Sequence, residues 1–410
     1  LQILDIVGDV KGKNILLLQG PMGKFFNTLD HKFMDLGAKT FRIGLNAGDE
    51  FFADAKHFTP FKGRIEEWKS FITQFYETHA IDMIFVFGDC RFYQRTAIKV
   101  ARKHKIKVFV FEEGYVRPDF ITLEENGVND NSSLPRERHF YDKLDYHDKM
   151  ECNSKNIQHI GNTYKEMARQ ATLYYLMGNL FSYKYPHYHH HRTFSAPLEA
   201  FYGVRNFLRK HKYRILERDG ETLYQTQLCK LYYFVALQTY EDFQILHHSD
   251  YNAIEEFIEE VIVSFANKAP RKTHLVIKHH PMDRGKKDYA NFIKAKARNM
   301  GVADRVKIVY DLHLPTLLKN ALGTITINST VGISSLYHKT PTLCMGRSFY
   351  DIEGLTSKGV ALDDFWEKHQ KVDSELFNKF RCHLIQKTQV NGSFYRFCSS
   401  SSSLGNPLKS

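Results

Sequence analysis

Short apolar runs of strand length alternate with amphipathic stretches through the first 125 residues of the chain. Positions 14–18, 39–44, 83–87 and 107–111 read as strands, while 24–36, 64–78 and 94–103 carry helical spacing. Strand and helix at this spacing predict a parallel sheet covered on both faces. From about 134 to 219 the pattern changes: Tyr, His, Arg and Lys dominate, strand signals vanish, and helical periodicity is visible at 162–176 and 197–209. This stretch reads as a helical insertion with a basic, aromatic surface. The alternation then resumes. Strands are expected at 230–237, 274–278, 305–309, 323–327 and 342–345, and helices at 254–266, 289–300, 314–319 and 331–338. The remainder from 363 reads as helical and then frays through Ser399–Ser403 into a tail. The expected fold class is therefore α/β, with two Rossmann-like domains facing a central cleft. The first spans 1–220 including the insertion, the second spans 221–362, and C-terminal helices with the tail occupy 363–410.

Composition narrows the class. At 410 residues, with 43% hydrophobic and 25% charged positions, the chain is long enough for two cored domains. No run approaches the ~18 apolar residues of a membrane span. The segment 1–11 carries Asp5 and Asp9 and lacks the apolar core of a signal peptide. The six cysteines are scattered without C-x-x-C spacing, which argues against a disulfide framework or thiolate zinc site and makes the cytoplasm the expected compartment. A net charge of +11 implies an anionic partner, whether nucleic acid, anionic lipid or a phosphorylated or carboxylated substrate.

In an open α/β sheet, ligands bind beyond the carboxyl ends of the strands, so the residues that follow predicted strands carry the functional reading. Gln19-Gly20-Pro21-Met22-Gly23-Lys24 is a glycine-bearing turn where Gly20 and Gly23 would let backbone approach a ligand, or simply make a tight turn; it is neither a dinucleotide nor a P-loop fingerprint. Glu112-Glu113-Gly114-Tyr115-Val116-Arg117 places two adjacent carboxylates and a cation at a strand end. They can tune one another as acid and base, or form a salt-bridged surface turn. In Gln238-Thr239-Tyr240-Glu241-Asp242, Asp242 could be a nucleophile held by the amide of Gln238. Lys278-His279-His280-Pro281-Met282-Asp283-Arg284 could offer His280, Lys278 or the backbone N–H groups of the next turn to a phosphate, with Pro281 holding His280 extended; a strand-to-helix turn with solvated histidines is the alternative. Asn328-Ser329-Thr330 offers hydroxyls that can cap the following helix, contact phosphate, or both. The cluster His187-Tyr188-His189-His190-His191-Arg192 is a poor zinc site, because adjacent histidines cannot converge on one ion; a basic aromatic surface for an acidic acceptor or lipid headgroup fits better. No D-x-D occurs, so no metal ligand is assigned.

Together these segments resemble the capsule polysaccharide biosynthesis and export proteins of Gram-negative bacteria, of the KpsS/LipB type. The likeness rests on six ordered motifs between about 14 and 365: Gly20 to Phe26, Glu112 to Asp119, Gln238 with Asp242, His279 to Gly285, Asn328 to Gly332, and Tyr350-Asp351-Ile352-Glu353-Gly354-Leu355-Thr356. The resemblance implies a GT-B-like, metal-independent and retaining β-Kdo transferase with no cofactor. Its donor would be CMP-β-Kdo and its acceptor lyso-phosphatidylglycerol at the anionic inner-membrane surface, starting the poly-Kdo linker of the capsule glycolipid. By that carry-over the first domain takes the acceptor and the second the nucleotide sugar. Asp242 falls at the nucleophile position, Glu112 or Glu113 near the acid/base position, and His280-Pro281 with Ser329-Thr330 at the cytidine monophosphate. Arg117, Lys278 or Arg284 would meet the Kdo carboxylate. The protein would be cytoplasmic and peripheral, with a second Kdo transferase and the capsule export complex as candidate partners and no nucleic acid. The competing readings are a non-catalytic export scaffold binding the lipid-linked polymer, and a nucleotide-sugar epimerase.

Overall fold

The computed structural model describes residues 3–54, 57–145, 157–189, 196–240, 245 and 249–396. The expected nucleophile Asp242, the histidines His190 and His191, Arg192 and the Ser399–Ser403 tail lie outside them. The strands are β1 Asn14–Leu18, β2 Lys39–Gly44, β3 Phe58–Pro60, β4 Met83–Phe87, β5 Lys107–Glu113, β6 Phe120–Glu125, β7 Tyr232–Ala236, β8 His274–Lys278, β9 Val306–Val309, β10 Gly323–Thr326, β11 Thr342–Cys344 and β12 Gln389–Asn391.

The chain forms two compact units. In the first, seven strands lie in the order β12-β6-β5-β4-β1-β2-β3; the five from β5 to β3 are parallel, and β6 and β12 are antiparallel additions at one side. The period of two in β1 explains both faces. Ile15 and Leu17 pack with Phe25, Phe26, Leu29 and Phe33 of one helix, whereas Leu16 and Leu18 join the opposite core with Trp68 and Ile72. Every one of these side chains is buried, which is why the strands read as unbroken apolar runs. The second unit has five parallel strands in the order β11-β10-β7-β8-β9. Its faces are divided the same way: Tyr233 and Val235 lie in one core, Tyr232 and Phe234 in the other. Both units thus share the doubly wound strand order, and the mixed α/β class with two Rossmann-like sheets is what the chain adopts.

Four features differ from the reading of the sequence. Strands β3, β6 and β12 were not expected; β6 folds back antiparallel on its chain neighbour β5, β12 pairs antiparallel with β6 from the far end of the chain, and β3 is only three residues long. The 134–219 stretch is not one insertion: 135–145 and 197–216 belong to the second unit, and 157–189 to the first. Each helix follows the surface its own buried residues match. Tyr174 of the helix Tyr164–Leu180 donates to Asp49 and accepts from Asn46 in the first unit. The helix Ala196–Leu216 lays Tyr213 flat on Tyr310 in the second, with ring centroids 3.7 Å apart. Finally, the C-terminal segment is not a separate piece. After the helix Ser374–Thr388, β12 adds Gln389–Asn391 to the first sheet, so the units are divided otherwise than at 220 and 362. Cys382 is disulfide-bonded, which the scattered cysteine spacing had given no reason to expect.

Candidate active site

In each sheet the strand order reverses at one place, between β1 and β4 in the first unit and between β7 and β10 in the second. In sheets of this order such a switch point, at the carboxyl ends of the strands, is where ligands bind.

In the first unit Gln19 follows β1 in a left-handed conformation, with φ 35°. Its amide donates to Asp49 (3.1 Å) and Tyr188 (3.2 Å) and accepts from Gln94 (2.9 Å). Asp49 is buried; burial raises its carboxyl above the usual range, while hydrogen bonds from the Leu45 N–H, Tyr174 and Gln19 oppose that rise. Gly20 and Gly23 are explained by packing. A side chain at Gly20 would overlap the Phe26 ring, and one at Gly23, which has φ +123°, would overlap Gln170, whose amide oxygen accepts the Lys24 N–H at 3.1 Å. Tyr188 of the histidine-rich segment thus joins the polar network of Gln19 and Asp49. Among the described residues, no group of three His, Cys, Asp or Glu could hold an ion.

Glu112 and Glu113 close the carboxyl end of β5, and Glu112 lies beside the turn after β4: a side chain placed on Gly88 would come within 3.9 Å of its carboxylate. Burial is the main cause that lifts the Glu112 carboxyl from 4.5 to about 7; the neighbouring Glu113 and Asp89 add to it, and the Glu113 N–H (3.0 Å) and Arg91 pull the other way. A carboxyl poised there exchanges a proton near neutrality. Asp89 was missed by the sequence reading. It is 7% exposed and accepts from the Val128 N–H (3.1 Å) and the Asn131 amide (3.0 Å), pinning the loop beyond β6. The signal that could have found it is the Gly88-Asp89 turn directly after a buried strand. Arg117 is exposed and donates to the Gly114 carbonyl at 3.1 Å, beside the pair but folded onto its own turn. That turn is fastened by Gln389 of β12, whose amide oxygen accepts the Tyr115 (3.1 Å) and Val116 (3.2 Å) N–H groups.

In the second unit Gln238, after β7, and Asn328, after β10, clasp one another. The Gln238 amide donates to the Asn328 side chain at 3.0 Å and accepts the Asn328 N–H at 3.2 Å. Ser329 accepts the Val331 N–H at 3.2 Å, the capping role; Thr330, half-buried at the helix start, makes no capping bond. His280 is extended (φ −71°, ψ 131°), as Pro281 dictates, and its ring accepts the Met282 N–H at 3.2 Å. Asp283, also missed, is buried and accepts the Tyr240 N–H at 2.8 Å, so it fixes the chain just before Asp242.

Two expected anion contacts are engaged elsewhere. Arg284 is 6% exposed, ion-paired with Asp311 and bonded to Asn206 at 3.2 Å. The Lys278 ammonium donates to the Tyr310 carbonyl at 2.6 Å, and burial lowers its pKa to about 8. The helix Ala196–Leu216 lies over Arg284, through Asn206 and Arg209, and over the Tyr310 ring after β9. His279 is not solvated either: it is 1% exposed and stacks near Tyr310 and Tyr289. The structure therefore gathers Gln238, Asn328, Ser329, Thr330, His280 and Pro281 on the carboxyl edge of the second unit, and Gly20, Gly23, Glu112, Glu113 and Arg117 on that of the first. Lys278 and Arg284 stand behind them as supports.

These features define a two-unit α/β protein with polar side chains gathered after the strands at both switch points and a carboxyl raised to about 7 at one. Residues 82–395 match the model of the family described as capsule polysaccharide biosynthesis protein. The chain is 40% identical over 386 residues to the capsule polysaccharide export protein KpsS of Escherichia coli, covering 94% of this chain and 98% of that one. It is 37% identical to the capsule polysaccharide modification protein LipB of Neisseria meningitidis serogroup A, covering 93% and 92%. The chain belongs to the capsule polysaccharide biosynthesis family. Among solved structures, the β-Kdo 2,7-transferase region of Thermosulfurimonas dismutans KpsC aligns over 90% of this chain and 89% of its own at 12% identity with a TM-score of 0.40, a likeness too distant to transfer an activity.

Proposed function

We propose that this protein is a retaining, metal-independent glycosyltransferase that moves Kdo from CMP-β-Kdo to a lyso-phosphatidylglycerol acceptor at the inner face of the membrane, beginning the capsule linker. Family membership supports the pathway, and the observation that carries the chemistry is the Glu112 carboxyl raised to about 7 at the carboxyl end of β5. In this reading the Asp242 carboxylate attacks the anomeric carbon and CMP departs with the electron pair of the broken C–O bond. The acceptor hydroxyl then passes its proton to Glu112, or to Glu113, as its oxygen displaces Asp242 from the same carbon. His280 and the Ser329–Thr330 turn hold the nucleotide phosphate, with backbone N–H groups at the start of that turn assisting, and Arg117 faces the sugar carboxylate. The first unit takes the acceptor and the second the nucleotide sugar.

Mass spectrometry of the purified protein with CMP-Kdo made in situ and a fluorescent lyso-phosphatidylglycerol tests this. One Kdo mass added to the lipid, unchanged by a chelator and lost in Asp242→Ala, is the expected result. Consumption of donor without lipid would indicate an epimerase. An Asp242→Ala protein that still supports capsule assembly in cells would return the reading to a non-catalytic export scaffold, which the name of the E. coli relative, an export protein, also suits.

A further inference from the structure

The helix Ala196–Leu216 packs one face against the second unit and leaves apolar side chains exposed on the other. Positions 202, 206, 209 and 213 follow helical spacing and face the second unit. Tyr202 lies against Gly285, where any side chain would overlap its carbonyl, and Lys286 sits over its ring at 5.4 Å. Asn206 accepts from Arg284, Arg209 donates to the Arg284 carbonyl at 2.8 Å, and Tyr213 stacks on Tyr310.

The same spacing, displaced by two residues and so turned about 200° around the axis, gives 204, 208, 211 and 215. Val204, Leu208 and Ile215 are 61%, 62% and 75% exposed, and Phe201 and Phe207 stand exposed beside them. An aliphatic stripe of this kind on a soluble unit marks something that covers it. Its borders say what. Arg205 and Lys212 flank one side, Lys210 and Arg214 the other, and no Asp or Glu occurs between 200 and 216. A second copy of the helix would bring like charges together. An anionic lipid surface accepts the apolar stripe and meets cations on both flanks, whose long stems reach the headgroups.

We infer that the outward face of this helix docks the protein on anionic membrane. The inference deepens the membrane-surface reading and rests on it only for where the protein works. Because the inner face is fastened to the His280–Asp288 segment, docking also orients the nucleotide-side loop toward the bilayer.

The test is co-sedimentation of the full chain with vesicles of phosphatidylcholine alone or mixed with phosphatidylserine, without donor. Phosphatidylserine avoids the acceptor headgroup, so binding and transfer can fail separately. The chain should bind the mixed vesicles and not the neutral ones. Val204→Asp/Leu208→Asp/Ile215→Asp should weaken binding at least about tenfold, the worth of burying a single aliphatic side chain. Arg205→Gln/Lys212→Gln should weaken it about fivefold per charge, and both variants should keep the wild-type melting temperature because none of these side chains is on the docked face. Equal binding by wild type and both variants overturns the inference. So does a wild-type chain that ignores vesicles but self-associates through the stripe, with the association lost in the aspartate variant.

Discussion

Replacing Glu112 by Gln tests the chemistry of the first unit without relying on any substrate. The native carboxyl is raised from 4.5 to about 7, chiefly by burial. At about 1.4 kcal/mol for each tenfold change in acidity, ionised Glu112 opposes folding by about 3 kcal/mol, and by about 2 where water reaches its half-buried edge. The sign follows from proton linkage. Between 4.5 and about 7 the folded protein holds a proton that the unfolded chain has released, so this contribution to stability is full below 4.5 and is lost as pH rises through 7. Gln cannot ionise but keeps an oxygen for the Glu113 N–H, so local geometry is preserved. In urea unfolding, Glu112→Gln should therefore exceed wild type by about 1 kcal/mol or less near pH 5 and by about 2–3 kcal/mol near pH 8. The other titrating groups cancel in the difference. A gap that does not change with pH, or a wild type more stable than the variant near pH 8, would refute the reasoning. In the transfer assay the same variant should lose the proton-accepting step even as it gains stability, the trade expected of a functional carboxyl.

Other expectations concern the supports of the site. Gly23→Ala must adopt φ +123° and displace Gln170, and should lower the unfolding free energy by about 2–4 kcal/mol; adding Gln170→Ala should restore only the steric part. Arg284→Met leaves Asp311 facing a buried partner that is gone, which should cost about 3–5 kcal/mol by thermal or urea unfolding, with recovery in Arg284→Met/Asp311→Leu. Gln238→Ala breaks both halves of its clasp with Asn328 and should reduce stability by about 1–3 kcal/mol while raising the donor KM more than it lowers kcat, measured by steady-state transfer.

The strands and helices that build the two sheets were legible because their cause is local. Runs such as Ile15–Leu18 and Leu275–Ile277 are apolar at every position since parallel strands are covered on both faces, and that pattern belongs to the sequence itself. The turns after those strands could be named for the same reason, and Pro281 alone was enough to hold His280 extended. Other features exist only once distant segments meet. β12 forms because Gln389–Asn391 finds the open edge of β6, more than 260 residues earlier in the chain. Lys278 and Arg284 look like anion ligands in isolation, but in the fold their charges turn to Tyr310 and Asp311, and the helix 196–216 lands on Arg284. Adjacent in sequence and identical in type, Glu112 and Glu113 could not be told apart on the page. Desolvation beside Gly88 raises the Glu112 carboxyl to about 7, and desolvation is a property of what surrounds a group, which only the tertiary structure decides.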